Sequence, residues 1–267
     1  MIIIRYGELA LKGNNRFLFE NKLGDNLRDS LKRNKVIGKV LKRRGRFFIE
    51  TLEQCDFLKN IFGVTSYSYA FSCESDMDAI KKCTDGLDVK GSFRVSAKRI
   101  DKNFPLASNK VEVEVGGYIH DTKKNPVSLK KFETEVGIEI YNDNTLVFDN
   151  KHQCVGGMPL GSASKFLCYV SSELDLYACF VMMKRGCEIV VATEDVDCSF
   201  LDNYSYGYNI KKVKPGDFEK IANENECIGL VLGQTLGEIE SLSSLIELRP
   251  LVGMSKEEIK TEIEALK

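Results

Sequence analysis

No apolar run in this 267-residue chain is long enough to span a bilayer, and its opening, MIIIRYGELALKG, lacks the basic, apolar and small-residue order of a secretory leader. A cytoplasmic protein with no membrane partner is the expectation. No Cys-x-x-Cys pair occurs either: the nine cysteines, an odd number, are scattered between Cys55 and Cys227. That argues against a zinc ribbon and a disulfide scaffold, and fits reduced thiols packed in apolar cores. The two histidines, His120 and His152, lie in separate segments without metal-ligand spacing, so structural or surface roles are expected and no metal site. Gly156, Gly157 and Gly161 are not followed by the Lys-Ser/Thr ending of a Walker loop. Together with Pro159 they read as a flexible inter-domain linker over residues 151–161. Internal repeats and low-complexity tracts are absent as well.

What is present is a chain with 43% apolar residues, enough for two or three domains with separate cores. Its net charge of −1 conceals a gradient. The first 59 residues carry seven more cations than acids, and residues 159–267 seven more acids than cations. A polyanion approaching the N-terminal end is implied, while the acidic end suits a protein partner better.

Residues 1–6 read as an apolar strand, and Phe19, Leu23, Leu27 and Leu31 recur every fourth residue as one stripe of an amphipathic helix. Two short strands around Arg44-Gly45 form a hairpin, and Phe57, Leu58 and Ile61 mark a short second helix, giving β-α-β-β-α. In a second module, residues 66–72 and 92–96 are strand-like, and residues 136–141 pair with 145–148 across Asn142-Asp143-Asn144. Val111 to Val115 alternates with period two, as in a strand, yet Val111, Val115 and Tyr118 also fit a helical face with Ser108 as N-cap. Beyond the linker, an apolar strand at 166–170, a helix at 174–184 and another apolar strand at 188–192 open a βαβ unit and a parallel sheet. A further strand spans 227–232, and Ser255-Lys256-Glu257-Glu258 is a capping box.

Cations cluster where the chain turns. Arg5, Lys12 and Arg16 flank a glycine-containing loop, Arg43, Arg44 and Arg46 join Lys42 around the hairpin tip, and Arg94, Lys98, Arg99 and Lys102 form a third basic segment. Presented at exposed tips, such groups bind phosphate. Phe104 follows them and either stacks on an unpaired base or packs beside Pro105.

The run from Arg5 to Arg16, RYGELALKGNNR, resembles the opening of the tRNA thiouridine synthetases, the sulfurtransferases that also bear a thiamine-biosynthesis name. Residues 93–106, FRVSAKRIDKNFPL, resemble that family's THUMP segment, and residues 156–161, GGMPLG, its entry to a PP-loop. Residues 229–238 and 248–254 resemble later stations of the same catalytic domain. The resemblance implies a mixed α/β and α+β chain. Its parts are a ferredoxin-like N-terminal domain (1–60), a THUMP domain (61–155) that grips the tRNA acceptor end, and a shortened Rossmann-like, adenine nucleotide alpha hydrolase-like PP-loop domain with a parallel sheet (156–267). It favours the helix for residues 111–115.

Against this pattern the phosphate loop departs. The family's Ser-Gly-Gly-x-Asp-Ser is here Ser171-Ser172-Glu173-Leu174-Asp175-Leu176, so Ser172 and Glu173 replace both glycines. The glycines let backbone N–H groups close on a pyrophosphate at a helix N-terminus. A carboxylate 4 Å from a phosphate costs about 4 kcal/mol at an effective dielectric near 20, roughly three decades of affinity. Asp175 reads as a first-turn acid favoured by the helix dipole. Gly233 and Gly237 follow a buried strand in a parallel-sheet pattern, the place where a residual small-molecule crevice would lie. The interval from Gly186 to Gly229 is also short for the family, and no motif marks Cys187, Cys198 or Cys227 as a sulfur carrier. Three readings follow. The first is a tRNA-binding protein with no catalytic residue and no cofactor. The others are an ATP- and magnesium-dependent tRNA sulfurtransferase using an altered loop, and a subunit delivering tRNA to a separate enzyme.

Overall fold

A computed structural model describes residues 1–7, 13–43, 45–100 and 102–266. Three sheets account for the strands among the described residues.

Strand β1 (Ile2–Tyr6) is buried along its whole length because it is central in the first sheet. It pairs antiparallel with β3 (Arg46–Glu50) on one side and β4 (Val64–Tyr69) on the other; β2 (Lys39–Arg43) completes the hairpin with β3. Helix α1 (Arg16–Arg33) covers one face with Leu23, Leu27 and Leu31, as the four-residue spacing requires, while Phe19 is half-buried. The expected second helix is a short 3-10 turn, Asp56–Asn60. The order β2-β3-β1-β4 is the ferredoxin-like arrangement, so the strand at residues 64–69 belongs to this sheet and not to the second module.

The second sheet has the order β5-β8-β7-β6, built from β5 (Phe71–Cys73), β6 (Phe93–Arg99), β7 (Thr134–Ile140) and β8 (Thr145–Phe148). β7 and β8 form the hairpin expected around residues 142–144, with Ile140 opposite Thr145. β6 and β7 are parallel and are joined through α3 (Ser108–Lys123), which packs with α2 (Met77–Cys83) on one face. Residues 111–115 are therefore helical. Val111, Val115 and Ile119 enter the core, and the period-two pattern arises from half-exposed Glu112 and exposed Val113. Ser108 is the first helical residue, not the cap; Ala107 occupies that position without a side-chain bond.

The third sheet is entirely parallel, in the order β12-β11-β10-β13-β14, a Rossmann-like winding. Its strands are β10 (Lys165–Tyr169), β11 (Glu188–Ala192), β12 (Lys211–Val213), β13 (Leu230–Val231) and β14 (Glu247–Leu248). Helices α4 (Glu173–Lys184), α5 (Ser199–Asp202), α6 (Phe218–Glu224) and α7 (Lys256–Leu266) cover it. The capping box of α7 forms reciprocally: Glu258 N donates to Ser255 Oγ and Ser255 N to Glu258 Oε2.

The segment 151–161 is not a loose linker. His152 and Gln153 form β9 on the edge of the first sheet, the N–H groups of Cys154 and Gly156 donate to the Thr65 and Val64 carbonyls, and Met158 N donates to Lys184 O. Gly157 and Gly161 have positive φ of 78° and 81°, and a Cβ at Gly157 would lie 2.2 Å from Lys184 O. These glycines serve close approach of a strap to two domains, which flexibility does not explain. Among the described residues no helix is long and apolar enough to cross a membrane.

Candidate nucleic-acid interface and phosphate loop

Strand alternation sorts the basic residues of the second sheet. Phe93, Val95, Val136, Ile138 and Ile140 point into the core, so Arg94, Ser96 and Lys98 share the opposite face with their register partners Glu135, Gly137 and Glu139. Arg94 lies 4.1 Å above the Phe132 ring and bonds Glu135 at 2.7 Å, with Ser96 and Lys151 on the same carboxylate. Lys98 is exposed. Arg99 Nη1 donates to Phe104 O, and Phe104 is 8% exposed in the second core. It packs and does not present a face to a base, so its candidacy as a stacking residue is corrected.

The hairpin and the second sheet converge on one turn. Arg43, at the end of β2, stands 4.0 Å from Asp143, while Asn103 Nδ2 donates to Asn142 Oδ1, next to exposed Lys102. Two basic segments more than fifty residues apart thus meet around residues 142–144. Lys12 and Arg44 fall outside the described residues.

Arg5 and Arg46, read from sequence as tip cations, are placed otherwise. Arg5 is 8% exposed; its Nε bonds Glu139 Oε1 at 3.1 Å, its Nη1 bonds Ser68, and its Cζ lies 4.6 Å from the Phe148 ring centroid. Arg46 Nε reaches the other oxygen of Glu139 at 3.4 Å. Both are interior to the junction of the first two domains. Arg16 is half-buried, donating to Glu20 at 2.7 Å and to the Tyr6 hydroxyl. Sequence had no means of finding Glu139, whose partner lies 134 residues away.

In the loop after β10, Asp175 bonds back onto the two serines that precede it. Ser172 caps α4, and Asp175 Oδ2 accepts from the Ser171 N–H (3.1 Å), the Ser171 hydroxyl (3.0 Å) and the Ser172 hydroxyl (2.8 Å). Asp175 Oδ1 accepts from Gly233 N at 2.9 Å, and a Cβ on Gly233 would meet Asp175 at 2.4 Å. The carboxylate thus takes up four donors at the end of β10 and packs directly against Gly233. Glu173 stands at the first helical position. Beside the strand ends, a crevice of about 280 Å³ is lined by Tyr169, Val170, Ser171, Glu194, Asp195, Val196 and Pro215. Two acids, Glu194 and Asp195, and no cation line it.

Thiols near this loop are buried. Desolvation pushes Cys198 and Cys227 up to about 11 and raises Cys187, so none is a ready thiolate at neutral pH. All nine cysteines are free, and no three potential metal ligands converge among the described residues. His120 Nδ1 contacts Asn125 O, and His152 stacks on Tyr67 at 4.7 Å.

Residues 1–68 match the ThiI ferredoxin-like domain and residues 74–149 the THUMP domain. A probable tRNA sulfurtransferase of Thermococcus kodakarensis is 30% identical across 97% of this chain and 85% of its own length. The chain belongs to the tRNA sulfurtransferase family. A probable tRNA sulfurtransferase of Geobacillus thermodenitrificans is 31% identical over the same share of this chain and 80% of its own. Both alignments run beyond 300 positions against a chain of 267 residues, so these relatives carry segments this member lacks. Among solved structures, PH1313 from Pyrococcus horikoshii superposes with a TM-score of 0.87 at 28% identity, covering 99% of this chain and 98% of that one. A 4-thiouridine synthetase solved with RNA and bound ATP has the same fold (TM-score 0.79, 24% identity, 99% and 84% covered).

Proposed function

We propose that this family member binds tRNA at its acceptor end without adenylating it. The observation that carries this is the Asp175 carboxylate seated on the Ser171 and Gly233 N–H groups, with Glu173 in place of a loop glycine. A nucleotide phosphate entering there must displace an anion already holding four donors and then face two more acids across the crevice. ATP and magnesium therefore do not fit in the family's pose, and no buried thiol stands ready for sulfur transfer. Phosphates meet cations instead at Arg43 and Lys102, around the 142–144 turn, and at exposed Lys98 on the second sheet. The acidic third domain serves as scaffold and as docking surface for a protein partner.

The interface is tested by the salt dependence of tRNA binding. Each cation neutralises about one phosphate, so the triple change Arg43→Ala, Lys98→Ala and Lys102→Ala is expected to lower the slope of log K against log salt by about two to three units. A slope equal to that of the parent would remove these residues from the interface.

A further inference from the structure

We propose that Glu139 is a positioning residue that locks the ferredoxin-like and THUMP domains into one RNA-gripping body, so that phosphates on both domains are engaged together. This rests on the tRNA-binding reading above. The apolar contact between the two domains, made by Ile3, Phe48, Ala70, Tyr141, Leu146 and Phe148, supplies adhesion without direction. Direction comes from the carboxylate buried beside it. Glu139 is 4% exposed and accepts from Arg5 of β1, from Arg46 of β3 and from the Tyr141 hydroxyl at 2.8 Å. Two strands of one domain are thereby tied to one strand of the other through both oxygens of a single side chain. Charge-assisted bonds of this kind fix angles and register as well as distance.

The placement matters because Glu139 shares its sheet face with Lys98 and sits in register with it, while β3 leads back through the hairpin to Arg43. The network thus sets the spacing between the cations of the two domains. Two phosphate grips held at fixed spacing act as one bivalent site, and the gain falls once the spacing is free to vary, because the effective concentration of the second grip drops.

The test compares full-length parent, Glu139→Gln and Glu139→Asp, all well below their melting temperatures, for tRNA affinity, salt slope and small-angle scattering. Glu139→Gln keeps the side-chain volume and removes the charge that both arginines share. We expect at least about a tenfold loss of affinity, a salt slope lower by about one unit, and a scattering profile broadened by domain motion. Glu139→Asp should recover part of each. Should Glu139→Gln not fold, Tyr141→Phe removes one bond to the same carboxylate and should shift all three readouts in the same direction by less. Parent-like affinity and slope in the variant would overturn the positioning role while leaving tRNA binding intact. So would weakened binding with an unchanged scattering profile. A parent chain that binds no tRNA would overturn both readings.

Discussion

Phe62→Ala is expected to destabilise the chain by about 3–5 kcal/mol, the usual cost of emptying a ring-sized site in a packed core. Phe62 follows the first domain's 3-10 turn and yet packs in the core of the third domain, 1% exposed, with ring centroids 5.4 Å from Phe180 and 5.7 Å from Tyr204. Phe180, Phe200 and Tyr204 contact one another around it, so the hole has rigid walls and collapses poorly. The next residue, Gly63, has φ of 97° and lies against Pro159 and Leu23, which prevents the backbone from moving in to fill the space. The first and third domains are docked here and along α1, where Asn26 donates to Leu160 O and Arg33 to Tyr208 O. Urea denaturation of parent and variant measures the loss. Phe62→Leu should lose much less, and an alanine variant within 1 kcal/mol of the parent would mean that the ring does not join the two cores.

The second large effect is in the acid limb of stability, through Glu20. Burial pushes its carboxyl up, but hydrogen bonds from Lys42, Tyr6 and Arg16 outweigh this and hold it at about 2, against 4.5 for an ordinary glutamate. Its folded value is the lower one, so its contribution is complete above pH 4.5 and is lost as the pH falls towards 2. A shift of this size corresponds to at most about 3 kcal/mol at neutral pH, and solvent screening of the Lys42 and Arg16 side chains, each more than a third exposed, lowers it to about 1–2 kcal/mol. Glu20→Gln should therefore be less stable than the parent at pH 7 by about that amount, with the gap closing between pH 4.5 and 2. Glu135, held at about 2 although burial raises it, because Ser96, Lys151 and Arg94 bond it, adds an independent acid limb that both proteins keep. A gap that stays constant from pH 7 to pH 2 would contradict the assignment.

Much of this fold was legible because local pattern and tertiary demand agree. The Leu23, Leu27 and Leu31 stripe forms a helix that buries those residues, the apolar runs at 166–170 and 188–192 become the two-sided strands of a parallel sheet, and the Ser255–Glu258 box caps as expected. What the residues themselves did not show depends on partners far along the chain. An arginine ending an apolar strand looks like an exposed tip until Glu139 arrives from the second sheet to hold it. Phe104 looks available after four cations, yet the core formed by α3 and β6 takes it. The glycines at 156–161 carry the composition of a linker, and only the contacts of the strap with Val64, Lys184 and Lys22 show why side chains are excluded. At the phosphate loop the loss of both glycines was visible, but not that Asp175 would turn its carboxylate back onto Ser171 and reach across to Gly233.

The central claim is that this family member has kept the tRNA grip and closed the nucleotide site. Equilibrium binding of labelled ATP to the purified chain in magnesium buffer, with and without tRNA, tests it most directly. The account predicts no binding up to millimolar ATP from protein that still binds tRNA. Micromolar ATP binding that disappears in Asp175→Ala would contradict it, because the loop would then cradle a nucleotide with the very residue held here to close it.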